Sequence, residues 1–230
     1  MKKGIFYAVG VGPGDAELMT LKALRVLRAC PVLAAPNSGA STPALNIVKA
    51  NLDISEKKNL DNSVPMTRDK ETLDTAPAAA AARVIEALES GRDVAMPNLG
   101  DVSIYGSAAY LTERVKAAGY ETVMIPGVPS FCDVAAQLGM SLTSMEKPLI
   151  IIPGGHSELD SLLKIRGTKV LMKSGRQLDA ALETIDSLGL TGSACAVENC
   201  GMENERIIKD LRELKDGAGY FTTIIIKEAD

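Results

Sequence analysis

The sequence has little of the material from which metal centres are usually built. Its 230 residues include a single histidine, His156, and no tryptophan. None of its four cysteines form a C-x-x-C pair: Cys30, Cys132, Cys195 and Cys200. Zinc sites use closely spaced cysteine and histidine ligands. We therefore expect no metal site, and we expect reduced thiols that are mostly buried.

Basic charge, aromatic residues and long hydrophobic runs are also scarce. The formal net charge is −4 and only 3% of the residues are aromatic, so a basic surface with stacking rings is not supported and nucleic acid is not an expected partner. Apolar runs such as 149–152 are strand-sized and far below the roughly 20 residues of a membrane helix. We expect a cytoplasmic protein without a membrane partner.

Short β-rich runs alternate with helical patterns along the whole chain, which favours an α/β fold with largely parallel sheets. We expect two α/β domains, an N-terminal one over 1–118 and a C-terminal one over 119–230. Residues 205–214 are compatible with either a helix or a short strand. The strands are predicted over 4–9, 32–35, 93–99, 122–125, 149–152, 168–172, 194–198 and 221–227.

The predicted first helix follows a glycine-rich turn and carries leucines every third residue, at Leu18, Leu21, Leu24 and Leu27. This spacing predicts one buried helical face. Further helices are predicted near 43–52, 73–90, 107–118, 130–138, 158–164 and 177–188.

The turn at 10–15 reads G-V-G-P-G-D and lies where a strand meets a helix, so its backbone can approach a ligand closely. A dinucleotide fingerprint needs a glycine where Asp15 stands and an acid about 20 residues later, and both are missing. A P-loop needs Gly-Lys-Ser/Thr, whereas this turn ends in Gly-Asp. Asp15 would repel phosphate, so a neutral or cationic ligand is favoured.

Two further loops follow predicted strands in the same way. One reads G-D-V-S-I-Y-G at 100–106, and the other reads P-G-V-P-S-F at 126–131. Ligands of open α/β sheets bind at the carboxyl ends of strands. The three loops can therefore converge on one site.

In these three loops the sequence resembles the tetrapyrrole methyltransferases of the sirohaem and cobalamin pathways. L-G-D-V-S-I-Y at 99–105 and P-G-V-P-S-F at 126–131, followed by A-A-Q-L-G at 135–139, are most similar to the subfamily that methylates C20 of precorrin-2 or cobalt-factor II. The resemblance covers essentially the whole chain. One departure is Val102, which stands where many members have proline.

The resemblance implies two α/β domains with the active-site cleft between them, a homodimer, and S-adenosylmethionine as the cofactor, released as S-adenosylhomocysteine. The resemblance also implies that residues 206–208 form a strand. It implies that Pro13 lines the cleft beside the substrate and that the cofactor is bound by Pro13, Leu99, Gly100, Asp101, Ile104, Pro129, Ser130, Met172, Cys200 and Thr223.

A tetrapyrrole acceptor carries many carboxylates, so an acidic protein needs local basic groups to bind it. Our candidates are Arg68, Lys173 and Arg176. Methyl transfer from a sulfonium needs little side-chain chemistry, and the sequence identifies no catalytic base. Two alternatives remain at this point: a related methyltransferase acting at another ring carbon, and a non-catalytic sensor of adenosyl ligands.

Overall fold

The computed structural model describes residues 2–36, 42–62, 70–214 and 219–228, with backbone alone for 70–75 and for Arg176. The chain divides into two compact units, Met1–Pro129 and Ser130–Asp230. This division lies later than the expected boundary at 118/119, because the strand at 122–125 pairs with the first strand of the chain. Among the described residues, no helix has the length and apolar character needed to cross a bilayer.

The first unit is a five-stranded, wholly parallel sheet with helices between successive strands. The strand order is β3-β2-β4-β1-β5. The strands are β1 (Phe6–Gly10), β2 (Val32–Ala35), β3 (Lys58–Asp61), β4 (Val94–Asn98) and β5 (Thr122–Ile125). The helices are α1 (Leu21–Ala29), α2 (Pro43–Asn51), α3 (Lys70–Glu89) and α4 (Ala109–Ala117).

Both faces of this sheet are covered by apolar side chains, as expected for a parallel sheet. Phe6 and Ala8 of β1 point into one hydrophobic cluster, while Val9 belongs to another with Leu27 of α1. The predicted leucine face of α1 is only partly correct, because Leu21 at the start of the helix is 85% exposed. The helix begins there because the Thr20 hydroxyl accepts a hydrogen bond from the Ala23 amide.

The second unit also has a five-stranded sheet, in the order β6-β7-β10-β8-β9. Its strands are β6 (Leu149–Pro153), β7 (Thr168–Met172), β8 (Ala194–Glu198), β9 (Arg206–Ile208) and β10 (Thr222–Ile226). Its helices are α5 (Ser130–Gln137), α6 (Leu159–Leu163) and α7 (Leu178–Ser187).

The expectation of largely parallel sheets is wrong for the second unit. Only β6 and β7 run parallel there, whereas β10 is antiparallel to both β7 and β8, and β8 is antiparallel to β9. For β8 and β9 the physical reason is the connection length: no helix of the described chain lies between them, and a parallel pairing needs a crossover of a dozen or more residues. The strand at Arg206–Ile208 agrees with the fold that the resemblance implied.

Candidate functional site

The three glycine loops of the first unit meet at the end of its sheet where the carboxyl ends of the strands lie. β1 lies between β4 and β5, and all three strands run in the same direction. Their carboxyl ends are therefore neighbours, and the loops that leave them at 10–14, 99–107 and 126–129 come together. This arrangement confirms the expectation that these loops converge.

Glycine is required where the loops touch, because their backbones leave no room for a side chain. A Cβ atom on Gly10 would lie 2.6 Å from the Gly127 amide nitrogen and 2.8 Å from the Gly100 carbonyl oxygen. A Cβ on Gly127 would also collide with the Gly100 carbonyl oxygen. The first and second loops are joined directly, since the Gly100 amide donates a 2.7 Å hydrogen bond to the carbonyl of Gly12.

Asp101 joins the second loop to the third. Its Oδ2 accepts a 2.8 Å hydrogen bond from the Gly127 amide, and its Oδ1 accepts bonds from the amide and the hydroxyl of Ser103. Desolvation raises the pKa of this carboxyl, but the hydrogen bonds from Ser103 and Gly127 outweigh it and hold the pKa below its usual value. The Asp101 carboxylate therefore stays ionised at neutral pH and fixes the relative positions of two loops.

The remaining sequence-predicted residues of the first unit lie in or beside this loop cluster. Pro13 is buried, and Leu99 and Ile104 are half-buried. Tyr105 has a φ of +49°, a left-handed backbone conformation that costs energy for a residue with a side chain and that concentrates at functional sites. Val102 is 3% exposed and packs in the hydrophobic core, which explains an apolar residue at this position.

In the second unit, three more candidate residues gather at one edge of the sheet. Met172 ends β7, and Thr223 lies next to it on β10, one step beyond the paired residues Leu171 and Ile224. Cys200 follows β8, on the other side of β10. All three side chains are at least nine-tenths buried.

Helix α5 contributes to the same part of the second unit. Ser130 is its first residue, and Asp133 in its first turn interacts with the Cys200 thiol. Burial, together with the carboxylates of Asp133 and Glu205, raises the pKa of Cys200 well above its usual range. Cys200 is therefore a protonated packing group with a weak S–H donor, and it does not have the chemistry of a nucleophile.

The basic residues differ in what the structure describes. Lys173 follows β7 with a φ of +59°, its ammonium lies 5.3 Å from the centre of the Tyr220 ring, and desolvation lowers its pKa. Arg176 lies in the short turn Gly175–Gln177. Arg68 lies outside the described residues. Of the three candidate basic residues, Lys173 is the one whose side chain the structure describes.

The chain matches the family Tetrapyrrole (Corrin/Porphyrin) Methylases over residues 6–215. It belongs to the tetrapyrrole methylase family.

Two relatives of this methylase indicate a subfamily. It is 31% identical over 210 residues to a protein of Methanocaldococcus jannaschii named probable cobalt-precorrin-2 C(20)-methyltransferase, covering 88% of this chain and 85% of the relative. It is 26% identical over 231 residues to the cobalt-precorrin-2 C(20)-methyltransferase of Salmonella typhimurium, covering 98% and 97% of the two chains.

A solved structure supports the fold of the methylase. The uroporphyrin-III C-methyltransferase of Thermus thermophilus, crystallised with S-adenosylhomocysteine, superposes with a TM-score of 0.70 at 23% identity, over 98% of this chain and 92% of that chain. The α/β fold with two sheets, inferred from the alternation of strands and helices, is confirmed.

Sequence reasoning missed several polar residues that hold the methylase loops in place. Ser103 binds Asp101, and Asn98 at the end of β4 binds the loop that follows it. In the second unit the buried Glu198 accepts a 2.7 Å hydrogen bond from the Gly219 amide and pairs with Arg206 at 3.1 Å. The signal for Asn98 and Glu198 is an isolated polar residue at the end of an otherwise apolar strand.

Proposed function

We propose that this chain is an S-adenosylmethionine-dependent methyltransferase that methylates C20 of precorrin-2 or of its cobalt-loaded counterpart in cobalamin biosynthesis. The observation that carries the proposal is the near full-length similarity to two relatives named as C20-methyltransferases, the closer of them 31% identical. The glycine loops are compatible with the cofactor part of the proposal, because they carry the ionised Asp101 carboxylate and no phosphate-binding lysine.

The loop cluster suits the cofactor by its charge. S-adenosylmethionine supplies an activated methyl group on a positively charged sulfur. The glycines let the three loop backbones pack against one another, and the ionised Asp101 supplies a negative charge that favours a cationic ligand over a phosphate. We assign cofactor binding to the residues that match the family motifs: Pro13, Leu99, Gly100, Asp101, Ile104, Pro129, Ser130, Met172, Cys200 and Thr223.

The protein's contribution to such a reaction is chiefly positional. Holding donor and acceptor in line can supply about 7–11 kcal/mol of the barrier. Hydrogen bonds between the loops provide the rigidity that this requires. One joins Gly100 to Gly12, and another joins Gly127 to the Asp101 carboxylate. We assign no catalytic base among the described residues.

Substrate carboxylates are assigned to Lys173, Arg68 and Arg176, with Pro13 beside the substrate. Lys173 is the best supported of these, since it is held in a strained backbone conformation directly after Met172. We also propose a cytoplasmic homodimer. Analytical ultracentrifugation at several protein concentrations tests the dimer, and a single species at the mass of one chain would contradict it.

The decisive experiment is an anaerobic assay with methyl-labelled S-adenosylmethionine and, in turn, precorrin-2 and cobalt-factor II. We expect NMR to locate the new methyl group at C20 of at least one acceptor. Label at another ring carbon would replace the C20 proposal with a different methyltransferase of the same family. Ligand-dependent thermal stabilisation without turnover on any tetrapyrrole would favour a sensor instead.

A further inference from the structure

Asn98 is a buried polar side chain at the point where β4 passes into the second glycine loop. The residue is 3% exposed. Its amide nitrogen donates to the carbonyl oxygens of Leu99 at 2.9 Å and Asp101 at 3.3 Å. Its amide oxygen accepts bonds from the Ala108 amide and the Ser107 hydroxyl, both at 3.3 Å. One side chain therefore ties the beginning of the loop to its end.

The surroundings of Asn98 leave little freedom for the loop to take another path. The Asn98 carbonyl accepts a 3.0 Å bond from the Val11 amide, which connects the first glycine loop to the same residue. Gly106 packs against the side chain, where an added Cβ would lie 3.2 Å from the amide nitrogen. The loop therefore folds around the Asn98 amide group, which forms hydrogen bonds with residues at both of its ends.

Both ends of the amide are needed in this position. A leucine has a similar size but would leave the carbonyls of Leu99 and Asp101 without their donor. An aspartate keeps the acceptor for Ala108 but points a second oxygen at two carbonyl oxygens. That repulsion is relieved only when the carboxyl is protonated and can donate an O–H to one of them.

We propose that Asn98 is a positioning residue for the cofactor: it fixes the backbone of 99–104, which then presents Gly100, Asp101 and Ile104 to S-adenosylmethionine. The proposal rests on the function given above, because that function assigns cofactor contacts to this loop. We assign Asn98 no contact with the reacting atoms, because the described partners of its side chain are all in the loop that follows it.

The test is the affinity of Asn98→Asp for S-adenosylhomocysteine, measured by calorimetry between pH 5 and 8 as a ratio to the wild type at each pH. We expect at least tenfold weaker binding at pH 8 and partial recovery toward pH 5. Burial against carbonyl oxygens raises the pKa of the new carboxyl, so its neutral, donating form gains population as the pH falls. Asp101 stays ionised throughout this range, because its pKa is lowered. Asn98→Leu should bind weakly with no such recovery.

Asn51→Asp is the matched control, since the Asn51 amide also donates to two carbonyls, those of Ala16 at 2.9 Å and Ile47 at 3.2 Å. We expect it to lower the unfolding temperature without a pH-dependent change in relative affinity. Ser107→Ala, a milder change at an exposed residue, should weaken binding about two- to threefold. It keeps the test valid if the Asn98 variants fold poorly.

Hydrogen exchange of ligand-free protein separates this inference from the proposed function. We expect faster exchange within 99–108 in Asn98→Asp and unchanged exchange there in Asn51→Asp. A wild type that fails to bind S-adenosylhomocysteine would refute the proposed cofactor, whereas the exchange result would still report on the loop. Wild-type affinity in both Asn98→Asp and Ser107→Ala, with unchanged exchange in 99–108, would overturn the role of Asn98.

Discussion

Asp101 shows how a single side chain can serve both the architecture and the chemistry of a loop. Its carboxylate holds the second glycine loop against the third through the Gly127 amide, while its charge remains in place for a cationic ligand. Hydrogen bonds to charged groups contribute more than neutral ones, about 1.5–3 kcal/mol each. Loss of this carboxylate should therefore affect ligand binding more than loss of a peripheral charge.

We expect Asp101→Ala to weaken binding of S-adenosylhomocysteine by about tenfold, in keeping with the loss of a charge-assisted hydrogen bond. Asp101→Asn should lose less, because its amide oxygen can still accept from Gly127. Arg176→Ala should have the smaller effect on this affinity, since we assign Arg176 to the substrate. Calorimetry measures all three, and a greater loss in Arg176→Ala would show that the two assignments are interchanged.

The four thiols should differ in reactivity because their environments differ. Cys132 is exposed, whereas Cys30 and Cys200 are buried, and burial raises the pKa of Cys30 to about 12 despite the nearby Lys57. We expect Cys132 to react first with a thiol reagent at pH 8 because it is exposed, although desolvation raises its pKa as well, and we expect Cys30 and Cys200 to react only on unfolding. Mass spectrometry of the labelled peptides measures this order. Rapid labelling of Cys200 in the folded protein would contradict it.

At the scale of the element, the contact among the glycine loops sets a strict steric limit. We expect Gly127→Ala to lower the free energy of unfolding by about 1–3 kcal/mol, the usual range for overpacking, and to weaken cofactor binding as well. Chemical denaturation measures the first effect and calorimetry the second.

Gly192→Ala is the control for that prediction. An added Cβ at Gly192 meets no atom within 4 Å, so this variant should be neutral or slightly more stable, through reduced freedom of the unfolded chain. If the two alanine variants unfolded at the same denaturant concentration, the close packing of Gly127 against Gly100 would have no energetic significance.

The sequence predicts most elements well, and the exceptions have physical causes. The strands at Thr122–Ile125, Thr168–Met172 and Ala194–Glu198 were predicted with the same bounds, because each is a short β-branched or apolar run between turn residues. β3 was missed, since K-N-L-D has no apolar run and gains its strand conformation from pairing with β2. Strand direction in the second sheet is likewise set by tertiary pairing.

The convergence of the three loops could be predicted from the sequence, because glycine and proline mark turns where backbones can approach each other closely. We could expect the three loops to meet because each follows a strand of an open α/β sheet, and ligands of such sheets bind at the carboxyl ends of the strands. The supporting hydrogen bonds of Asn98 and Ser103 were not predictable, since they depend on side-chain positions within a folded loop.

At the scale of the whole molecule, stability should fall on both sides of neutral pH. Hydrogen bonds lower the pKa of several carboxyls, so the stability they contribute is present above the unfolded pKa of about 4 and is lost as the pH falls through their folded values. Among the described residues, the carboxyls whose pKa is lowered in this way are Asp53, Asp101, Asp210 and Glu228. The raised pKa of Cys30 has the opposite effect, because stability declines once the pH exceeds the ordinary thiol value.

Thermal unfolding from pH 2.5 to 10 measures this dependence. We expect a plateau between about pH 5 and 8, with a decline below about pH 4 and another above about pH 9. An unfolding temperature that rose steadily from pH 7 to pH 3 would contradict the assignment of these carboxyls as stabilising in their ionised form.

The central position of β10 affects how the nascent chain matures. The first sheet needs one insertion early in synthesis, because β4 lies between β1 and β2 and joins β1 to the β2–β3 ribbon once Val94–Asn98 is made. The second sheet needs its insertion last: β6–β7 and β8–β9 remain two separate ribbons until Thr222–Ile226 leaves the ribosome and inserts between them. During that interval the edges of β7 and β8 that will flank β10 are unpaired, and exposed strand edges of this kind favour aggregation, so chaperone protection is useful until the last strand is in place.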